Sequence, residues 1–262
     1  MPRLADDALC IRHWDWSETS QTVSLFGRAH GLVRGLAKGA RRERGRFGGG
    51  FDLLTRGEVL AVGRPDAELL TLTDWAMLES FPRLRSDLAA NRAGFYLADL
   101  LGRLMAPHDP HPEAFDAAVA ALRSLERGLP AEEVAARYQR DLLASSGFLP
   151  PFEAPEGGGP SWFHPREGVV GAEAPGAWRV RPDTLRYLAS LDAPTSDEVV
   201  DESEPPEPPR EVVARAAMLL AACVREVIGE EPLTMRQMFP RLPRRADQEG
   251  LVPLVRRARS AG

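Results

Sequence analysis

The chain has 262 residues, 44% of them apolar, 27% charged, and a formal net charge of −5. That is enough material to bury a core in one large or two to three small domains, and no stretch nears the roughly 18 to 20 continuous apolar residues of a membrane span. With no apolar segment after Met1-Pro2-Arg3 and only two widely separated cysteines, Cys10 and Cys223, the expectation is a cytoplasmic globular protein with no disulfide framework and no membrane partner.

Residues 8 to 78 read as a run of short strands. Leu9-Cys10-Ile11, Thr22 to Phe26, Leu32 to Ala37, Phe51 to Val62 and Leu69 to Met77 are apolar or alternating, and Gly, Asp, Ser and Pro clusters separate them. Five strands in so short a span suit a small closed barrel of the OB type, which hides its own edges, or else an open antiparallel sheet.

From Pro82 the period changes. Leu97, Leu100, Leu101, Leu104 and Met105 recur at helical steps, as do Phe115, Val119, Leu122 and Leu125 after Pro110 and Pro112. A third helix follows Pro130 with Val134, Tyr138 and Leu142 on one face and stops at Gly147, as Gly128 stops the second. Short connections between these segments imply antiparallel packing.

Residues 148 to 181 are rich in proline and glycine and lack a helical period, with at most one hairpin through Trp162-Phe163 and Gly168-Val169-Val170. Pro182 to Leu191 suits a short helix. Ala193 to Pro209 holds five prolines among carboxylates and reads as a flexible acidic linker. A last helix is expected from about Arg210 to Ile228, with Gly229 as its stop, and the tail beyond Pro240 is basic.

The charge is distributed unevenly. Between Arg28 and Arg46 stand seven cations (Arg28, Arg34, Lys38, Arg41, Arg42, Arg44, Arg46) against Glu43 alone, a local +6 that leaves −5 − 6 = −11 for the remainder. Eight carboxylates between Asp192 and Glu211 supply much of that balance. A basic cluster on an acidic body suits a local polyanion site, since cations behind a glycine-punctuated hairpin can neutralise phosphates and release counterions; a solvated loop is the competing reading. Phe47, set among arginines, either stacks on an unpaired base or sits in the core.

Three other features carry little chemistry. His108, Asp109 and His111 lie in a proline-rich helix connection, where such residues usually face solvent rather than a metal. His30 belongs to a turn. Glu58, Glu68 and Asp74 have no second carboxylate at a productive place, and the only lysine, Lys38, lies in no phosphate-binding loop signature, so neither acid/base chemistry nor ATP hydrolysis is expected.

One stretch goes further. Phe26-Gly27-Arg28-Ala29-His30-Gly31, then Ala37-Lys38-Gly39-Ala40-Arg41-Arg42, then Phe47-Gly48-Gly49 is similar in order and spacing to the N-terminal signature of the RecO recombination mediators. The likeness continues more thinly through Leu69 to Leu72, Glu79-Ser80-Phe81-Pro82, Gly147-Phe148 and Gly229 to Arg236. It implies an α+β protein: a five-stranded OB-fold barrel at 1–80, a helical domain at 81–147 rejoined by the helix at 210–228, an irregular insert at 148–192, an acidic linker at 193–209 and a C-terminal helix and basic tail at 210–262. It also implies a non-catalytic DNA repair protein, nucleoid-associated, that binds single- and double-stranded DNA and anneals complementary strands. Its partners would be RecR and the tail of single-strand binding protein, and through them the RecA recombinase. By position, Lys38, Arg41, Arg42 and Arg46 would carry the DNA contact, with Arg34 and Arg44 as helpers.

This chain departs from the resemblance in one place. Many members carry a four-cysteine zinc site after Gly147, and Phe148 to Arg181 contains no cysteine, so thiolate ligands for a structural zinc are missing and no cofactor is expected. The module would be held by packing or be partly disordered. The alternative function is an assembly module whose basic hairpin docks an acidic protein.

Overall fold

A computed structural model of the chain describes residues 3–42, 46–64, 67–152, 161–170, 173, 175–191 and 208–243. Two compact units divide it, Met1–Ser146 and Gly147–Gly262.

The first unit begins with β1 (Arg3–Asp15), β2 (Gln21–Gly27), β3 (Gly31–Ala37), β4 (Arg56–Val62) and β5 (Leu70–Glu79), which close into a barrel in the order β1-β2-β3-β5-β4. All neighbours are antiparallel except β3 and β5, whose parallel pairing of Gly35 to Ala37 with Leu70 to Leu72 completes the ring. This is the OB-fold expected from the five strand signals, and closure removes the open-sheet alternative. Gly35 makes that seam possible, because a Cβ there would lie 2.4 Å from the Leu72 side chain.

Alternation places Ala8, Cys10, Val23, Leu25, Val33, Val59, Ala61 and Leu72 inside the barrel. Phe47, Phe51 and Trp75 join this core. Their rings pack in series, with centroids 5.6 Å apart for Phe47 and Phe51 and 4.9 Å for Phe51 and Trp75. Of the two readings open for Phe47, the core is the one realised: it is 6% exposed and unavailable to a base. The residue seals the barrel because the turn that carries it folds back over the interior.

After a single turn, α1 (Arg83–Ser86), come α2 (Leu88–Leu104), α3 (Pro112–Arg127) and α4 (Ala131–Ser145). Asp87 caps α2 by accepting from the Ala89 and Ala90 N–H groups at 2.9 and 3.2 Å. Pro112 opens α3, and Gly128, left-handed at φ +90°, closes it. The inward faces match the sequence periods, with Leu97, Leu100, Leu101, Phe115, Leu122, Leu125, Val134, Tyr138 and Leu142 all buried.

Helices and barrel share an apolar seam in which Leu9 and Ile11 of β1 face Leu97, Ala98 and Leu101 of α2 and Leu122 of α3. Ion pairs frame it. Arg12 bonds Asp99, which also accepts from Arg103 at 3.0 Å. Arg56 bonds Asp7, and Glu79 accepts both Arg123 donors at 2.8 Å.

The second unit contains a three-stranded sheet, β6 (Ser161–His164), β7 (Gly168–Val170) and β8 (Trp178–Val180), in the order β7-β6-β8. The hairpin anticipated at Trp162-Phe163 and Gly168 to Val170 is β6-β7. β8 had no sequence signal, being three residues long. Phe163 is fully buried and stacks on Phe152 with centroids 5.6 Å apart. Helices α5 (Pro182–Ser190), α6 (Arg210–Ile228) and α7 (Leu233–Met238) follow, and Arg215 of α6 bonds Asp183 of α5 at 2.9 Å. Gly229 ends α6 in a left-handed conformation, φ +75°. The acidic linker and the basic tail beyond Pro243 lie outside the described residues, apart from Pro208 and Pro209.

Among the described residues, no helix is long and apolar enough to cross a membrane. Both cysteines are buried and free, and burial pushes the Cys10 thiol up to about 12 and the Cys223 thiol in the same direction. They serve as small core residues, protonated and inert.

Candidate nucleic-acid interface

The basic cluster occupies two places on the barrel. Arg28 lies in the β2-β3 turn, where its Nε and a terminal nitrogen donate to Asp116 of α3 at 2.9 and 2.8 Å. The Asp116 carboxylate, hydrogen-bonded and opposite in charge, holds the Arg28 pKa above its ordinary value. In turn Arg28 holds the Asp116 carboxyl below the usual carboxylate range. This turn is also where His30 sits, as expected, with its backbone N–H and Nδ1 each 3.0 Å from Asp6. Arg28 therefore braces barrel against helix and is set apart from the other cations.

Those others gather at the opposite end of β3. Arg34 is exposed on the outer face of that strand, and Lys38, Arg41 and Arg42 are exposed in the turn that follows it, with Arg46 exposed just before Phe47. Arg44 lies outside the described residues. The turn reverses at Gly39, φ +69°, where the Arg42 N–H closes onto the Gly39 carbonyl at 3.2 Å. A positive φ of this kind suits glycine, which accounts for the Lys38-Gly39 pair.

A second loop anchors the basic turn. The β1-β2 connection runs from Trp16 to Ser20, and Ser20 Oγ accepts from the Gly39 N–H at 3.2 Å while the Thr19 carbonyl accepts from the Arg41 N–H at 3.1 Å. The Arg41 guanidinium meets Asp15 at 3.0 Å. Both members are about half exposed (48% and 59%), so a phosphate can compete with Asp15 for Arg41 at small cost.

Together the two loops enclose a hollow of about 340 Å³ lined by Trp16, Ser20, Leu36, Lys38, Gly39 and Arg42, among others. Trp16 is 65% exposed, and Trp14, just before the loop, is 47% exposed. Cross-strand registers put Trp14, Thr22 and Leu36 in one row over β1, β2 and β3, and Arg12, Ser24 and Arg34 in the next. Of these, Trp14 and Arg34 are exposed, Leu36 lines the hollow, Ser24 is buried, and Arg12 is held by Asp99.

The sequence brought Arg34, Lys38, Arg41, Arg42 and Arg46 to attention and missed the tryptophans. Their signal was available, as Trp14-Asp15-Trp16 stands at the end of a strand beside a Ser-rich turn. What linked them to the cations was the β1-β2-β3 register, a contact between distant segments. Among the described residues, no group of three or more His, Cys, Asp and Glu side chains comes together to hold a metal ion.

Residues 1–81 match the family described as Recombination protein O N terminal, and residues 85–234 match Recombination protein O C terminal. A protein of Anaeromyxobacter dehalogenans (strain 2CP-C) named DNA repair protein RecO is 32% identical over 199 residues, covering 73% of this chain and 78% of the relative. Proteins of the same name from Salinibacter ruber and Geobacter sulfurreducens are 36% identical over 118 residues and 33% identical over 142. The first covers 45% of both chains, and the second covers 54% of this chain and 58% of the relative.

Proposed function

The chain belongs to the RecO family of DNA repair proteins, and on that premise we propose that it binds single- and double-stranded DNA through the exposed cations Arg34, Lys38, Arg41, Arg42 and Arg46, with Arg44, outside the described residues, as a further contact. The observation that carries this reading is the stapling of the Lys38 to Arg42 turn to the β1-β2 loop, which holds cations at the mouth of an OB barrel. OB-folds bind oligonucleotides on the face of strands 2 and 3 and with the loop between strands 1 and 2; Arg34 is on strand 3, and the turn of Lys38, Arg41 and Arg42 that follows it is hydrogen-bonded to the loop between strands 1 and 2, which supports the reading.

The activity would be electrostatic and without turnover. Cations on the barrel neutralise the backbones of two strands and lower their mutual repulsion, so that complementary bases can pair. The remaining −11 of formal charge opposes indiscriminate coating of DNA. In this reading the protein anneals strands and, with RecR and the tail of single-strand binding protein, helps to load the RecA recombinase. The resemblance to the family supports those partners.

Titration of a labelled single strand across a salt series tests the contact. Affinity should fall steeply as salt rises, and K38E/R41E/R42E should lower it further at every salt concentration. Absence of binding by the wild-type protein at low salt would sink the proposal. Annealing of complementary strands coated with single-strand binding protein, faster with the protein than without it, tests the activity.

A further inference from the structure

We propose that Trp16 is a base-stacking residue, and that the hollow beside it accepts an unpaired nucleotide with its base on the indole and its phosphates on Lys38 and Arg42. The inference rests on the DNA-binding reading above and adds what the cations alone cannot provide, a preference for single strands.

Trp16, at 65%, is the most exposed tryptophan among the described residues. An exposed tryptophan is ordinary by itself, but tryptophan is enriched where surfaces make contact, and this one lines a hollow beside two cations. Its backbone is fixed. The Trp16 N–H donates to the Ser20 carbonyl at 2.9 Å, the Ser17 N–H to the same carbonyl at 3.2 Å, and Ser20 N–H to Ser17 Oγ at 3.2 Å. The loop so formed is tied to the basic turn through Ser20 and Gly39 and through Thr19 and Arg41.

Those bonds put a π face and cations around one open hollow of about 340 Å³. Single-strand recognition needs this pairing of groups: an aromatic platform for the base and a cation for the backbone. In a duplex the base faces are already stacked on each other, so the indole has nothing to receive. Phe47, the other aromatic residue of the basic region, is buried in the barrel core, which leaves the stacking role to the β1-β2 loop.

Full-length wild-type protein, W16A and W16F are titrated with three labelled probes of equal length: oligothymidylate, a strand of abasic residues, and a duplex. W16A should bind oligothymidylate roughly tenfold or more weakly, while W16F keeps most of the affinity. Binding of the abasic strand and of the duplex, which use phosphates alone, should change by less than about twofold. Unchanged binding of oligothymidylate by W16A overturns the proposal and leaves Trp16 to a protein partner. Equal losses on all three probes also overturn it, by making Trp16 structural. If the wild-type protein binds none of the probes at low salt, the DNA reading itself falls, an outcome distinct from both.

Discussion

Arg41 donates to Asp15 at 3.0 Å across the two loops that frame the hollow, so the basic turn holds one of its cations against a carboxylate of the same barrel. Both groups are exposed, and an exposed pair contributes little to stability. Its consequence lies in binding, since Asp15 competes with phosphate for Arg41. D15N should therefore raise affinity for single-stranded DNA by roughly two- to fivefold at low salt. The gain should shrink as salt screens the carboxylate. Fluorescence anisotropy at two ionic strengths measures it, and an affinity unchanged or lowered at low salt would show that Asp15 does not compete.

Lys38 and Arg28 belong to one charge cluster in the sequence and to different tasks in the fold. Lys38 lines the hollow, while Arg28 lies in the β2-β3 turn with two hydrogen bonds to Asp116 and does not line it. K38A should reduce the salt dependence of binding to single-stranded DNA by about 0.7 in the slope of log K against log salt, the share of one phosphate contact. R28A should leave that slope unchanged. Equal effects of the two substitutions would contradict the division of roles.

Phe47 seals the barrel with Phe51 and Trp75. F47A should cost about 3 kcal/mol or more in urea unfolding, from lost burial plus the cavity left behind. F47L should recover most of that loss, because it refills much of the volume. With F47L folded, its DNA affinity should match wild type within about twofold. A large affinity loss in a stable F47L protein would return Phe47 to the interface.

Glu79 gives a pH dependence of known sign. Its hydrogen bonds from Arg123 hold its carboxyl below the ordinary range against the opposing effect of burial, and the Arg123 charge and then the hydrogen bond and charge of Arg56 add to the lowering. A carboxylate depressed in the folded state contributes stability above its unfolded value, near pH 4.3, and that contribution disappears as pH falls through the folded value. E79Q should thus be less stable than wild type at neutral pH by about 1 kcal/mol, because the bonds are charge-assisted but partly screened. The two proteins should converge as the pH drops below about 4. Urea midpoints at pH 7 and pH 3.5 measure the difference, and a gap that widens in acid would refute the assignment.

The sequence by itself determined most of the elements and some of their ends, though it marked only Leu9 to Ile11 of a β1 that runs Arg3–Asp15, began β4 at Phe51 rather than Arg56, and marked nothing of β8. Alternation marked β1 to β5, helical spacing marked α2, α3, α4 and α6, and glycine or proline marked where α3, α4, α5 and α6 begin or stop. These signals are local: they arise from side chains two, three or four positions apart and from the φ values that glycine and proline allow. The basic cluster was equally plain, because charge can be counted without coordinates.

Tertiary structure decided which residues meet. The closure of β3 on β5 joins residues 35 to 37 with 70 to 72, Arg28 reaches Asp116 across 88 positions, and Arg41 reaches Asp15 across 26. No local period encodes such contacts. They set Arg28 against Asp116, apart from Arg34, Lys38, Arg41, Arg42 and Arg46, turned Phe47 inward, and brought Trp16 beside Lys38. In each case the cause is the same: a closed barrel has one inside and one outside, and only the register between strands assigns a residue to either.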